Sequence, residues 1–327
     1  QYSGRQLGVR ADMTSQAVRV DAHSLRSDNV QRYCYAGPVV FAKPQGNQTS
    51  RVPLKAGAEM FGASGVAADA EVIGLMLEGL KVANMHAPVL LLGHMGIYLG
   101  LVEQLLAEGR LDEARQGELF GCIQRKGASD IRALLDDSPT AAMLIALPDL
   151  MGDSSVLELA GKVLHSASES VRAALDELKD LAAMIKARYP QVDLRIDVSE
   201  LSGYGYHNGP VFAVYHPQHG SALAQGGRYD GVGDIFGRGR AATGFDLNLK
   251  QLMDSSLQGQ GAYFAPYTAD ASHQELAGLV SRLRDEGHRV IVAVAQHEQP
   301  PHDCIGVLVH GQNGWQVQSN STAPNEQ

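Results

Sequence analysis

The sequence is poor in cysteine, in long apolar runs and in net positive charge. Cys34, Cys122 and Cys304 are its only cysteines, too few and too scattered for a disulfide framework or a zinc site. The longest apolar stretches, such as Val290 to Ala295 and Val89 to Leu92, fall far short of the roughly 20 residues that cross a bilayer. The chain opens at Gln1 without an initiator Met, so a preceding segment is expected, and no basic start leads into an apolar leader. Together these absences lead us to expect a cytoplasmic, reduced protein that does not contact membranes. Lys and Arg number 27 against 36 Asp and Glu, a formal charge of −9. That balance argues against a surface built to neutralise phosphate backbones. There is no G-x-x-x-x-G-K-[ST] loop, no H-E-x-x-H and no C-x-x-C, which removes several common enzyme classes, and there is no internal repeat.

What is present is 327 residues, 44% apolar, enough chain for about two domains with a real core. Arg32 to Phe41 and Arg51 to Phe61 read as strands. In the second, Leu54, Ala56, Ala58 and Met60 share one face and Lys55, Gly57 and Glu59 the other. Two ionisable groups flanking a glycine on one face suggest the wall of a pocket, although a solvated face with a surface ion pair fits the same residues. Residues 65 to about 190 read as mainly helical, with Val72, Leu75, Met76 and Leu80, then Val171, Leu175, Leu178, Ala182 and Ile185, at helical spacing. A short strand interrupts at Pro88 to Leu92, Pro190 closes the last helix, and Val192 to Val198 returns to strand alternation. A hairpin is expected over 204–226, with Tyr204 to Tyr215 as its first strand, followed by a glycine-rich bend, GGRYDG, from Gly226. Thr243-Gly244-Phe245 then leads into a helix carrying Leu247, Leu249 and Leu252. A linker at 255–261 precedes a small α/β unit: helix Gln274 to Glu286, strands Arg289 to Ala295 and Ile305 to Val309, and a polar tail from about Gln318.

Three clusters could carry chemistry. The GGRYDG bend permits close backbone approach to a ligand and is equally at home as a plain turn. Gly237-Arg238-Gly239-Arg240 could cradle an anion or simply sit in water. His207, His216 and His219 lie close in sequence but lack a carboxylate or thiolate partner at a recognised ligand spacing, so no metal is expected.

Six segments occur in order: VRADMT from Val9, YAGPVVFAKPQ from Tyr35, GAEMFG from Gly57, GYGYHNGPVF from Gly203, GGRYDG from Gly226 and GFDLNLKQL from Gly244. As an ordered series covering most of 1–254, they resemble the catalytic core of histidyl-tRNA synthetases. The resemblance implies an α+β fold, a class II synthetase-like antiparallel sheet flanked by helices, with a helical insertion at about 65–190. It also implies that Glu59 reads an imidazole, that Asp12 and Thr14 hold an α-amino group, and that Tyr206, His207 and Arg228 belong to the histidine site. Lys55, standing where the family has glutamine, would take the ligand carboxylate.

The departures from that family point elsewhere. Phe41, Ser202 and Gln251 stand where synthetases carry the arginines that handle ATP, and losing three such contacts should leave no useful adenylate chemistry. Only 75 residues follow Leu252, too few for a sizeable anticodon-binding domain, so no tRNA partner is expected. The kept histidine pocket, the lost arginines and the details YHNGPVFAVY, QGGRYDG and ATGFDLNLKQL resemble the regulatory subunits of ATP phosphoribosyltransferase. That resemblance implies a non-catalytic, cofactor-free protein of histidine biosynthesis with three parts: a synthetase-like domain over 1–254, a small domain over 262–317 and a tail at 318–327. It also implies a hetero-octamer with the short-form catalytic subunit, built on self-dimers, with L-histidine as feedback ligand. The synthetase family's dimer-forming first motif would precede Gln1. An aminoacyl transferase with altered chemistry, a general amino-acid sensor and a degenerate scaffold with an empty pocket remain as alternatives.

Overall fold

The computed structural model describes residues 4, 8–43, 50–135, 137–201, 205–217, 219–252, 261–269, 272–301, 304–312 and 314–319. The chain divides into two compact units, Gln1–Met253 and Asp254–Gln327.

The first unit is built on an eight-stranded sheet: β1 (Gln31–Pro38), β2 (Leu54–Phe61), β3 (Val89–His94), β4 (Met151–Gly152), β5 (Asp193–Asp197), β6 (Pro210–Tyr215), β7 (Ala224–Arg228) and β8 (Ala242–Asn248). Their spatial order is β1-β2-β8-β7-β6-β3-β5-β4. All pairs are antiparallel except β3 with β5, so the sheet is mixed rather than purely antiparallel. The exception follows from connectivity, since the whole helical stretch between β3 and β5 supplies the long crossover that parallel strands need.

One face of this sheet is covered by α2 (Val66–Val82) and α8 (Glu169–Arg188), with α3 (Met95–Ala107) packed against α8. The amphipathic reading holds in α8, where Val171, Leu175, Leu178, Ala182 and Ile185 are all buried. In α2 it needs correction: Val72, Met76 and Leu80 are buried, but Leu75 is 53% exposed and Ile73 and Leu77 take its place in the core. The segment expected as one insertion is also narrower than 65–190. α2 packs on β2 and β8, and β3 sits inside the sheet. The helices that stand off the sheet are α4 (Glu113–Gln124), α5 (Ala128–Leu134), α6 (Pro139–Ala146) and α7 (Val156–Val163).

Two further expectations are corrected around the glycine-rich segments. Gly226, Gly227 and Arg228 lie in β7, and the bend comes only at Gly231, whose φ of +82° suits glycine. Gly226 is needed for closeness instead, because a Cβ there would overlap the Gly244 carbonyl and the Phe212 ring. Leu247 is likewise in a strand, and among the described residues helix begins at 249, because β8 pairs on both sides with β2 and β7. The hairpin's first strand begins at Pro210, not Tyr204, a residue outside the described set.

The second unit has a four-stranded sheet, ordered β10-β9-β11-β12, from β9 (Ala262–Ala265), β10 (Val290–Val292), β11 (Cys304–Gly311) and β12 (Gly314–Ser319). On it lies α9 (His273–Asp285), whose Leu276, Leu279, Val280 and Leu283 close a core with Ala265, Val290 and Leu308. β9 and β12 are additions to the expected pair of strands. Gln318, expected to start a tail, lies in β12, and the linker residues 255–260 and tail residues 320–327 fall outside the described set. Among the described residues no helix is long and apolar enough to cross a membrane.

Candidate functional site

On the sheet face opposite α2, the strands β2, β7 and β8 floor a cavity of about 440 Å³. Period-2 alternation creates it: Ala58 and Met60 point into the core beneath α2, so Lys55 and Glu59 point the other way. Asp12, Thr14, Tyr206 and His207 join them from the chain preceding α1 (Thr14–Arg19), from its first residue and from the segment before β6.

Glu59 is the best-defined member. Only 2% exposed, it sits on β2 between Tyr33 and Gly244 of the neighbouring strands. Thr14 Oγ1 and Tyr35 OH donate to its Oε1 at 2.7 and 3.0 Å, and Tyr229 OH donates to Oε2 at 2.5 Å. Burial pushes its carboxyl up to about 7, against the opposing pull of those three hydroxyls, and Asp12 pushes further in the same direction. Burial, then the charge of Glu59, raises the Tyr35, Tyr206 and Tyr229 phenols, so all three stay protonated donors at neutral pH. Space for the carboxylate depends on Gly244, where any Cβ would overlap Glu59. The two aromatic rings beside it stack, Tyr206 on Tyr229 at 5.0 Å and 23°, with His207 edge-on to Tyr206 at 5.0 Å.

Across the cavity Lys55 Nζ pairs with Asp246 Oδ1 at 2.5 Å, and their side chains are 16% and 20% exposed. Burial pushes the Asp246 carboxyl up while Lys55 pulls it back. Nζ also lies 6.0 Å from the centre of the Phe41 ring. Asp12 bends its own backbone, its Oδ1 accepting from Thr14 N at 3.2 Å. Sequence reasoning missed Asp246, Tyr35, Tyr229, Gln225 and Gln124 as cavity or cage residues. For Asp246 the missed signal was an acid placed two positions before Asn248, on the same face of what is a strand and not a helix.

Arg228 does not join this set and is corrected. Strand alternation aims it at the helix layer, where it pairs with Asp69 of α2, itself wholly buried, and lies 3.8 Å from Glu177 of α8. Glu177 in turn accepts from His94 Nε2 at 3.1 Å, because His94 Nδ1 is occupied as acceptor from Gly96 N. The Arg238 and Arg240 turn holds no open anion cradle either. Both guanidiniums donate to the Ser27 carbonyl, Arg238 also to Asp28 and Arg240 to the Asn29 carbonyl, beside the buried Asp21. His216 and His219, with ring centres 5.7 Å apart, line a different cavity of about 370 Å³, and no metal-ligand cluster occurs among the described residues. Gln251 donates to Ser221 Oγ at 2.9 Å in a smaller cavity of about 140 Å³ that adjoins the first across Lys55 and Asp246. Ser202 lies outside the described residues.

The mixed eight-stranded sheet that floors this acid-lined cavity is of the class II synthetase-like, histidyl type, as its family match and structural neighbours show. Residues 1–252 match the histidyl-tRNA synthetase family, and residues 260–318 match the C-terminal domain of the ATP phosphoribosyltransferase subunit HisZ. The ATP phosphoribosyltransferase regulatory subunit of Ectopseudomonas mendocina is 42% identical over 321 residues, covering 96% of this chain and 80% of the relative. Within the synthetase-like class, the chain belongs to the family of ATP phosphoribosyltransferase regulatory subunits. Its fold is that of a Bacillus halodurans protein described as an ATP phosphoribosyltransferase regulatory subunit/histidyl-tRNA synthetase, at TM-score 0.69, 24% identity and coverage of 89% of this chain and 75% of that one. It is also similar to a chain of the ATP phosphoribosyl transferase (HisG:HisZ) complex from Thermotoga maritima, at TM-score 0.58, 18% identity and coverage of 76% and 84%.

Proposed function

We propose that this chain acts in the cytoplasm as a non-catalytic subunit that activates a short-form ATP phosphoribosyltransferase, with L-histidine bound in the cavity as the feedback signal. The observation that carries the ligand is the Glu59 cage. A buried carboxylate held by three hydroxyl donors keeps a free lone pair on Oε2 for one strong N–H donor, which an imidazole supplies. Asp12, Thr14 and Asp246 suit an ammonium, and Lys55 suits a carboxylate. The relatives' names support the catalytic partner, and the synthetase-like fold supports assembly as self-dimers within a hetero-octamer. Adenylate chemistry and tRNA binding fit poorly: Phe41 lines the cavity where the synthetase pattern has a phosphate-gripping arginine, Gln251 is uncharged, and the net charge is −9.

Calorimetric titration with histidine and, separately, with ATP tests the reading. Histidine binding without ATP binding, followed by histidine-sensitive activation of the short transferase, is the expected outcome. ATP binding, or activation that histidine leaves untouched, overturns it.

A further inference from the structure

An ammonium site at Asp12 and Thr14 does not by itself explain why Asp246 is paired with Lys55. Asp246 adds a third carboxylate to a cavity already walled by Asp12 and Glu59, against the single ammonium of Lys55. Its partner is fixed by register. Lys55 on β2 stands opposite Asn248 on β8, and Asp246 stands opposite Gly57, so the two side chains meet diagonally over a glycine. Both line the main cavity and the smaller one beside it, so their ion pair forms the wall between the two. Asp12 lines the same cavity, and its charge pushes the Asp246 carboxyl further up.

We propose that Asp246 is a specificity residue: it latches Lys55, and only a ligand bearing both an α-ammonium and an α-carboxylate displaces the pair by replacing each partner. The proposal rests on the histidine reading above and says how the backbone of that ligand is selected. A ligand with a carboxylate alone must pull Lys55 off Asp246 and leave that acid partly buried and unpaired in a cavity that also holds Asp12 and Glu59. A ligand with an amine alone strands Lys55 instead. Leaving one member of a desolvated pair without its partner costs far more than exchanging both. A zwitterion makes the exchange ion for ion, with its ammonium between Asp12 and Asp246 and its carboxylate on Lys55.

The test is calorimetry on the full chain with histidine, histamine and imidazolepropionate, for the parent, Asp246→Asn and Lys55→Met. The parent should bind histidine at least about tenfold more tightly than either analogue, the size expected of one charge-assisted contact. Asp246→Asn frees Lys55, so histidine should weaken by about tenfold while imidazolepropionate tightens by a similar factor. Lys55→Met should weaken histidine and tighten histamine. Tighter binding cannot come from misfolding, so the crossover separates a selecting pair from a merely structural one. If both variants change all three ligands by the same factor, the proposal fails while the histidine reading stands. If the parent gives no heat with histidine, the reading and the proposal fall together.

Discussion

Replacing Glu59 with glutamine separates what this carboxylate does for the ligand from what it does for the fold. Its burial moves the carboxyl from the ordinary 4.5 to about 7, which corresponds to about 3 kcal/mol. The folded state therefore holds a proton that the unfolded chain releases. The stability this proton confers is full below about pH 4.5 and is lost as the pH rises through 7. Glutamine has no such proton to lose. Its carbonyl can still accept from Thr14 and Tyr35, and its amide can donate to the Tyr229 oxygen if that hydroxyl turns. Urea unfolding should thus show the parent losing up to about 3 kcal/mol more than Glu59→Gln between pH 5 and pH 8. Histidine affinity should move the opposite way. Losing a hydrogen bond to a charged group costs about 1.5 to 3 kcal/mol, roughly ten- to a hundredfold in Kd by calorimetry at pH 7, with activation of the catalytic subunit unchanged. A Kd within threefold of the parent would refute the assignment of Glu59 as the imidazole reader, and parallel pH profiles would refute the buried titration.

Gly244→Ala pushes a methyl group into the Glu59 carboxylate, so histidine binding should fall below calorimetric detection while circular dichroism still reports a folded chain. Arg228→Ala leaves Asp69 buried without its cation and should cost about 3 kcal/mol in urea unfolding. Because Arg228 faces the helices, histidine affinity of the folded protein should stay within threefold, and a larger loss would return Arg228 to the site. Leu178→Ala, at a fully buried position of α8, should cost about 2 to 5 kcal/mol by the same assay, with ligand binding unchanged.

The pocket was legible in the sequence wherever strand alternation alone decided a direction. Lys55 and Glu59 alternate with Ala58 and Met60, and one core-facing set fixes the other. The same logic fails where a glycine-rich stretch hides its strand. Family resemblance places Arg228 in the histidine site and the bend reading does nothing to exclude it; as part of β7 it turns to Asp69. Read as a helix start, residues 244–249 conceal that Asp246 and Asn248 share a face, and with it the partner of Lys55. β12 was missed for a different reason. It is largely exposed, so its residues obey no burial pattern and look like a polar tail, although its backbone pairs with β11. The cage around Glu59 draws on α1, β1 and the turn after β7, elements about 24 to 170 residues from Glu59 along the chain, and no local pattern joins them.

The proposed histidine feedback places a quantitative condition on this cavity. Histidine can shift the transferase toward an inhibited arrangement only by as much as it prefers that arrangement, and such couplings usually amount to about 1 to 3 kcal/mol. A hydrogen bond from the proposed imidazole to Glu59 would be of that same size, about 1.5 to 3 kcal/mol. One contact, made fully in the inhibited assembly and imperfectly in the active one, is therefore sufficient, and no wholesale rearrangement of the sheet is needed. Thermodynamic reciprocity then fixes a further result. Whatever factor separates histidine's Kd per site for the inhibited and active assemblies, raised to the number of sites that switch together, must equal the factor by which saturating histidine shifts the equilibrium between them. Glu59→Gln should shrink both factors together. Calorimetry on the assembly with and without substrates gives the first, and the residual activity at saturating histidine bounds the second. If the variant lost affinity equally for both arrangements and inhibition at saturation stayed complete, Glu59 would only anchor histidine, and the discriminating contact would have to lie on the Lys55–Asp246 side of the cavity.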